Sequence, residues 1–142
     1  MQLPKVYEPS EYEGNIYALW EKSGAFKPKN RGGKDNYSIV LPPPNANGDL
    51  HVGHSLMFAL QDAVIRYHRM KGDATLWLPG ADHAGFETQV VYEKKLAKEG
   101  KSRLDRSREE LYSQLCDFVD QNRSTYEDQF RRLGASVDWA HY

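Results

Sequence analysis

Polar and apolar positions alternate along this chain in a way that divides it into helices and two short strands. Pro9-Ser10-Glu11-Tyr12-Glu13 has the form of a capping box, with Ser10 as N-cap and Glu13 three residues on. Ile16, Leu19 and Trp20 follow at helical spacing, and Gly24 marks the stop. Lys27 to Asn36 is polar and glycine-containing and reads as a loop. Tyr37 to Leu41 is short, partly β-branched and closed by three prolines, which predicts a strand. Leu56, Leu60, Val64, Tyr67 and Met70 then recur at spacings of three and four. They form one apolar face of a helix that starts near His51 and runs to about Lys71, with Gly72 as its stop. Thr75 to Leu78 is a second strand, ended by Pro79-Gly80.

Strand, helix and strand together have the length of a parallel crossover, so residues 37–85 are expected to form a right-handed βαβ unit. The remainder, 86–142, reads as helical. Phe86 to Glu99 is one segment closed by Gly100, and Ser107-Arg108-Glu109-Glu110 is a capping box opening a helix to about Leu133. Leu111, Leu115, Phe118 and Val119 give that last helix an apolar face. The expected class is α/β: an N-terminal helix and loop over 1–36, the βαβ unit, and a helix-rich C-terminal portion. Two strands do not complete a doubly wound sheet, which points to one part of a larger domain.

Composition changes this picture little. The 142 residues suffice for a single core, and 39% hydrophobic with 27% charged residues is ordinary for a water-soluble chain. A net charge of -1 argues neither for nor against nucleic acid. The single Cys116 excludes an intrachain disulfide framework and suits a reducing compartment. No apolar run reaches the ~20 residues that span a bilayer. The start, Met1-Gln2-Leu3-Pro4, lacks a charged-then-apolar signal pattern. The expectation is a cytoplasmic protein without membrane contact.

The candidate chemistry sits where strand turns to helix, in Pro42-Pro43-Pro44-Asn45-Ala46-Asn47-Gly48-Asp49-Leu50-His51-Val52-Gly53-His54. Helix N-termini attract phosphate through unpaired N–H groups and the macrodipole. Imidazoles there can donate to phosphoryl oxygens without a permanent charge. Gly53 between the two histidines lets a ligand approach the backbone. A bare pair of histidines at this spacing is more often a surface feature; the rigid loop and preceding strand are what favour a site. Metal ligation is not expected, because the lone cysteine is distant and no second ligand pair has metal spacing. Open parallel sheets bind ligands beyond the carboxyl ends of their strands. The second loop, Pro79 to Gly85, should therefore meet the first at one crevice, where Asp82 could bond an α-ammonium group. A turn residue or helix cap is the plainer reading of Asp82. Asp49 reads as a solvated loop residue, His83 as a pocket or core side chain, and His68 and His141 as structural or exposed. Trp20, Trp77 and Trp139 read as core anchors. Arg103, Arg106, Arg108, Arg131 and Arg132 could meet nucleic-acid phosphates, though scattered helical arginines are usually solvated.

His51-Val52-Gly53-His54 with its proline loop resembles the HIGH motif, the first signature of class I aminoacyl-tRNA synthetases. Asp82-His83-Ala84-Gly85 resembles the form found in valyl-tRNA synthetases, where isoleucyl enzymes typically carry Asp-Cys-His-Gly. Gln61 to Tyr67 and Arg132 to Trp139 extend the likeness over nearly the whole chain. Ala46-Asn47-Gly48 is nearer to the isoleucyl form, and Ala81 replaces the usual Thr. An isoleucyl-type enzyme and a non-catalytic ATP- or adenylate-binding module therefore stay open as alternatives.

The resemblance implies the first half of a Rossmann-like catalytic domain. It implies valine activation by Mg-ATP, followed by transfer to tRNA(Val). By resemblance, His51 and His54 contact ATP phosphates and Gly53 admits the adenine ring. Asn45 and the Pro42 carbonyl position the amino acid and adenylate, Pro43 walls the valine side chain, and Asp82 holds its ammonium group. ATP with Mg is a substrate complex, and no bound metal or cofactor is expected. The family's second signature loop, editing insertion and anticodon-binding domain are not in this sequence. The chain is thus expected to be an N-terminal portion that leads, after residue 142, toward the editing insertion. It should be weak or inactive alone and should need the C-terminal part in cis or trans.

Overall fold

The computed structural model describes residues 5–29, 32, 33 and 35–142. The expectations for Met1 to Pro4, and for Asn30, Arg31 and Lys34 within the polar loop, lie outside the described residues. Helix α1 spans Pro9–Ser23, strand β1 Asn36–Val40, helix α2 Val52–Lys71, strand β2 Ala74–Leu78, helix α3 Gly85–Lys98 and helix α4 Arg108–Arg132. Short 3-10 turns cover Arg103–Asp105 and Trp139–His141; the sequence reading did not anticipate them.

Most boundaries follow from local chemistry. Gly24 and Gly72 end α1 and α2 in the left-handed conformation, at φ 68° and 92°. Ser107 and Glu110 cap α4 reciprocally, Glu110 N–H donating to Ser107 Oγ at 3.2 Å and Ser107 N–H to Glu110 Oε2 at 3.0 Å. The start of α1 corrects the sequence reading. Its N-cap is Glu8, without a side-chain cap bond, and Ser10 lies inside the helix. Pro9 decides this: its fixed φ is already helical, and at the first position its missing N–H costs nothing.

β1 and β2 pair in parallel, with Tyr37 opposite Thr75 and Ile39 opposite Trp77. Asp138 N–H donates to Trp77 O at 3.1 Å, so the segment after α4 lies along the outer edge of β2. The core lies between sheet, α2 and α4, where Leu41, Phe58, Ile65, Trp77, Tyr126, Phe130, Ala135 and Val137 are buried together. Trp77 is a core anchor as expected, and its indole N–H donates to Gln61 Oε1 at 3.0 Å.

The packed face of α2 is a second finding. Phe58 and Ile65 turn inward. The face marked by Leu56, Leu60, Val64, Tyr67 and Met70 is exposed, from 41% at Val64 to 86% at Met70. Val40, at the end of β1, is 70% exposed. α2 is apolar on two sides, and this chain covers one of them.

Polar clasps fix α2 against the segment after α4. Asp62 accepts from Ser136 N–H at 3.2 Å and from Arg66 at 2.7 Å, while Arg66 also donates to Gly134 O at 2.7 Å. Arg69 donates to Ser136 O at 2.7 Å and Phe26 O at 3.1 Å. Tyr17 donates to Ala135 O at 2.7 Å, and burial pushes its hydroxyl up to about 12. At the foot of the sheet, buried Asp73 accepts from His68; that hydrogen bond and nearby Lys71 hold its carboxyl below the usual range. His68 is therefore structural, stacked on Tyr37 with ring centroids 3.7 Å apart. His141 bonds Asp138 at 2.8 Å.

Candidate active site

The proline loop carries β1 into α2 and ends on His51, the N-cap of α2. Ordinary caps use Ser, Thr, Asp or Asn; here two imidazoles do the work. Gly53 N–H donates to His51 Nδ1 at 3.1 Å, and His51 N–H donates to His54 Nδ1 at 3.2 Å. Both Nδ1 atoms are thus acceptors. A neutral imidazole that accepts at one nitrogen carries its proton on the other. Each ring therefore has an Nε2–H, and neither Nε2–H is used by the cap.

The rings stack with centroids 3.9 Å apart, and His54 backs onto Phe58 at 6.1 Å. Burial, and next the neighbouring His51, lowers the His54 pKa below its ordinary 6.5, which favours this uncharged form. Gly53 has a steric role besides backbone access. A Cβ there would meet His51 Cε1 at 3.0 Å and Nδ1 at 3.1 Å, so its absence lets the imidazole fold back onto the helix terminus.

The loop after β2 meets the proline loop directly. Asp82 N–H donates to Pro44 O and Ala46 N–H to Asp82 O, both at 2.8 Å, making an isolated parallel bridge between Asn45 and Asp82. Gly80 passes beside Pro43: a Cβ there would lie in ordinary contact, 3.6 Å from Pro43 Cβ. Asp82 Oδ1 accepts from Ala84 N–H at 2.9 Å and supports a left-handed Ala84, φ 48°, at the mouth of α3. Asp82 is both a turn residue and an exposed carboxylate with a second oxygen to offer.

Pro42, Pro43, Asn45, His51 and His54 line one hollow of about 420 Å³. Asp82 lines an adjoining one of about 280 Å³, with Ala46, His83, Arg123 and Tyr142. The sequence reading had both loops at a single crevice. The loops do meet, through the bridge between Asn45 and Asp82; Asn45 lines the first hollow and its neighbour Ala46 the second. Gly53 is exposed at the helix mouth. Another hollow, about 530 Å³, lies between α1 and α4 and is lined by no residue of either loop. Hydrogen-bond donors and a carboxylate on two bridged loops, not volume, mark the candidate site.

α4 supplies contacts that the sequence did not signal. Leu50 N–H donates to Gln129 Oε1, and Gln129 Nε2 donates to Asp49 Oδ1, both at 2.8 Å. Tyr126 donates to Gly80 O at 3.0 Å, and burial raises its hydroxyl pKa. Asp49 is an exposed loop residue, as expected, and its bond from Gln129 also ties it to α4. Of the arginines, Arg103 pairs with Glu93 at 3.2 Å, Arg106 donates to Ser102 O at 2.9 Å, and Arg131 lies over Trp139 while pairing with Glu21 at 3.3 Å. Among the described residues no group of three or more His, Cys, Asp or Glu is gathered as metal ligands. None of the described helices is long and apolar enough to cross a membrane.

The sequence pattern of the family described as tRNA synthetases class I (I, L, M and V) matches residues 15–142. A valine–tRNA ligase of Treponema denticola is 49% identical over 140 residues, covering 98% of this chain and 15% of the relative. One of Psychrobacter arcticus is 48% identical, covering 98% of this chain and 14% of the relative. A crystal structure of the Agrobacterium radiobacter K84 agnB2 LeuRS, in ternary complex with tRNA and LeuAMS, superposes with a TM-score of 0.70. It is 20% identical and covers 95% of this chain and 15% of that one, a likeness of fold. The chain spans about 15% of the length of the curated relatives it matches.

Proposed function

The chain belongs to the class I tRNA synthetases, and on that footing we propose that it carries the ATP- and valine-facing portion of a valine-activating site. One observation carries the reading: the reciprocal histidine cap leaves two uncharged Nε2–H donors at a helix N-terminus, in a loop bridged to an exposed carboxylate. In the proposed reaction a valine carboxylate oxygen attacks the α-phosphorus of Mg-ATP. A P–O bond forms, the bond to the leaving oxygen breaks, and pyrophosphate departs with its electron pair. The acyl group then passes from the adenylate to a terminal ribose hydroxyl of tRNA(Val), releasing AMP.

Such phosphoryl transfer depends on positioning and charge stabilisation. His51 and His54 would donate to phosphate oxygens as charge grows there, and the helix terminus adds to the same field. Gly53 would leave room for the adenine. Asn45 and the Pro42 carbonyl would orient the adenylate, with Pro43 against the valine methyls. The second Asp82 oxygen would take the ammonium group while Oδ1 keeps its bond to Ala84.

Completion of the site would come from the rest of a synthetase, in cis or in trans. The exposed α2 face from Leu56 to Met70 and the outer edge of β1 support a covering segment there. We place the protein in the cytoplasm with its substrates, consistent with an exposed free Cys116.

The test is amino-acid-dependent ATP–pyrophosphate exchange, run with valine and isoleucine in parallel. The 142 residues are assayed alone and with the remaining catalytic portion of a close relative. Exchange should appear on combination, with valine preferred, and tRNA charging by the chain alone should be weak or absent. Saturable ATP binding with no exchange under any combination would favour a non-catalytic nucleotide-binding module. Preference for isoleucine would replace the valine assignment.

A further inference from the structure

We propose that Gln129 is the positioning residue of the histidine turn, and that α4 uses it with Tyr126 to hold both site loops in place. The proposal rests on the phosphate-binding reading of His51 and His54. Gln129 lies one residue before Phe130, which is wholly buried, so the core fixes the rotation of α4 at this point. The Gln129 amide then reaches the proline loop at its last two residues before His51. Its Oε1 accepts from Leu50 N–H and its Nε2 donates to Asp49 Oδ1.

The amide orientation is forced. Turned over, it would set N–H against N–H and oxygen against carboxylate. Both hydrogen bonds act on backbone or side chain immediately ahead of the N-cap, so they set the direction in which the chain enters α2. That direction decides whether His51 N–H can reach His54 Nδ1 and whether Gly53 N–H can reach His51 Nδ1. Those two bonds fix the tautomers that leave both Nε2–H groups for a ligand. One turn earlier on the same helix, Tyr126 holds Gly80 O in the other loop. Residues on one rigid helix thus grip both sides of the bridge, and α4 sets the separation of the phosphate-facing and carboxylate-bearing loops. Gln129 touches neither hollow where His51, His54 or Asp82 lies; it would act through the loop alone.

The test is an NMR titration of the 142-residue chain with Mg-ATP, following the imidazole Cε1–H signals of His51, His54, His68 and His141 separately. Gln129→Leu removes both hydrogen bonds. Gln129→Glu keeps the acceptor for Leu50 but opposes Asp49. Asp49→Asn with Gln129→Glu restores both bonds, with donor and acceptor exchanged between the two side chains. Gln129→Leu should move the His51 and His54 signals, leave those of His68 and His141 in place, and weaken Mg-ATP by about tenfold. The double variant should recover wild-type signals and affinity to within about threefold, even though neither side chain is the original. A merely structural glutamine would lower the melting temperature without moving the two signals. That result, or a double variant as impaired as Gln129→Leu, overturns the proposal. If Mg-ATP shifts nothing in the wild type, the phosphate reading fails. The ligand-free His51 and His54 signals then still decide whether Gln129 positions the turn.

Discussion

Behind the histidine turn stands a ring pair whose coupling can be measured. Phe58 on α2 is 2% exposed and Phe130 on α4 is fully buried, with ring centroids 4.0 Å apart at 61°. His54 also stacks with Phe58, at 6.1 Å between ring centroids. Replacing either phenylalanine by leucine keeps an apolar side chain and removes the edge-to-face contact. The change of shape costs about 1 kcal/mol, and loss of the ring pair adds about 0.5–1.5 kcal/mol. Phe58→Leu should therefore lose about 2 kcal/mol of unfolding free energy, and Phe130→Leu more, because its ring also meets Tyr126, Trp77 and Trp139. The ring pair can be lost only once, so Phe58→Leu with Phe130→Leu should cost about 1 kcal/mol less than the sum of the singles. Urea unfolding followed by tryptophan fluorescence and circular dichroism gives all four corners of the cycle. An unchanged slope on urea shows that the same surface is exposed in each variant. Additivity to within about 0.3 kcal/mol would refute the claim that α2 and α4 are joined through this contact. Single losses below about 0.5 kcal/mol would refute the packing itself.

Two further outcomes follow from the same geometry. His54 titrates below its ordinary value in the folded chain, so its contribution to stability is complete above about pH 6.5 and is lost as pH falls through the lower folded value. Protonating Nδ1 also removes the acceptor for His51 N–H, so urea midpoints measured downward from about pH 7 should fall less steeply in His54→Gln than in the wild type; equal slopes would count against the assignment. At the second loop, Asp82→Asn can retain its Oδ1 acceptor and should unfold close to the wild type. Asp82→Ala strips the Ala84 N–H of its partner and should lose about 1 kcal/mol by the same urea assay; equal loss in both variants would mean that the charge, not the hydrogen bond, supports the turn.

The βαβ unit was legible because each boundary has a local cause: prolines after β1, glycine after α2, Pro79-Gly80 after β2. The start of α1 was misplaced because Ser10 and Glu13 satisfy a capping pattern, but Pro9 is the better first residue and moves the start ahead of it. The inward face of α2 was not legible. Leu56, Leu60 and Val64 keep helical spacing, and so do Phe58, Gln61 and Ile65, and only tertiary contacts choose between the two sets. The histidines and Asp82 stood out through motif chemistry, and Asn45, Pro42 and Pro43 through the family resemblance. Gln129 and Tyr126 did not, because a glutamine and a tyrosine on a polar helix carry no local signal. Their partners lie 46 to 80 residues away. Sequence places both loops at the same strand ends, but the backbone bridge between Asn45 and Asp82 that ties them together carries no local signal.

If the proposed site is right, the two bridged loops hold the two ends of one adenylate. The most direct measurement is equilibrium binding of a hydrolysis-resistant valyl-adenylate analogue to the 142-residue chain, beside its His54→Ala and Asp82→Asn variants. The account predicts saturable binding tighter than that of ATP or valine alone, weakened about tenfold or more by either substitution. With Pro43 against the valine methyls as proposed, the isoleucyl analogue, with one more methylene to place, should bind less tightly. Absence of binding, or binding that neither substitution disturbs, would contradict it.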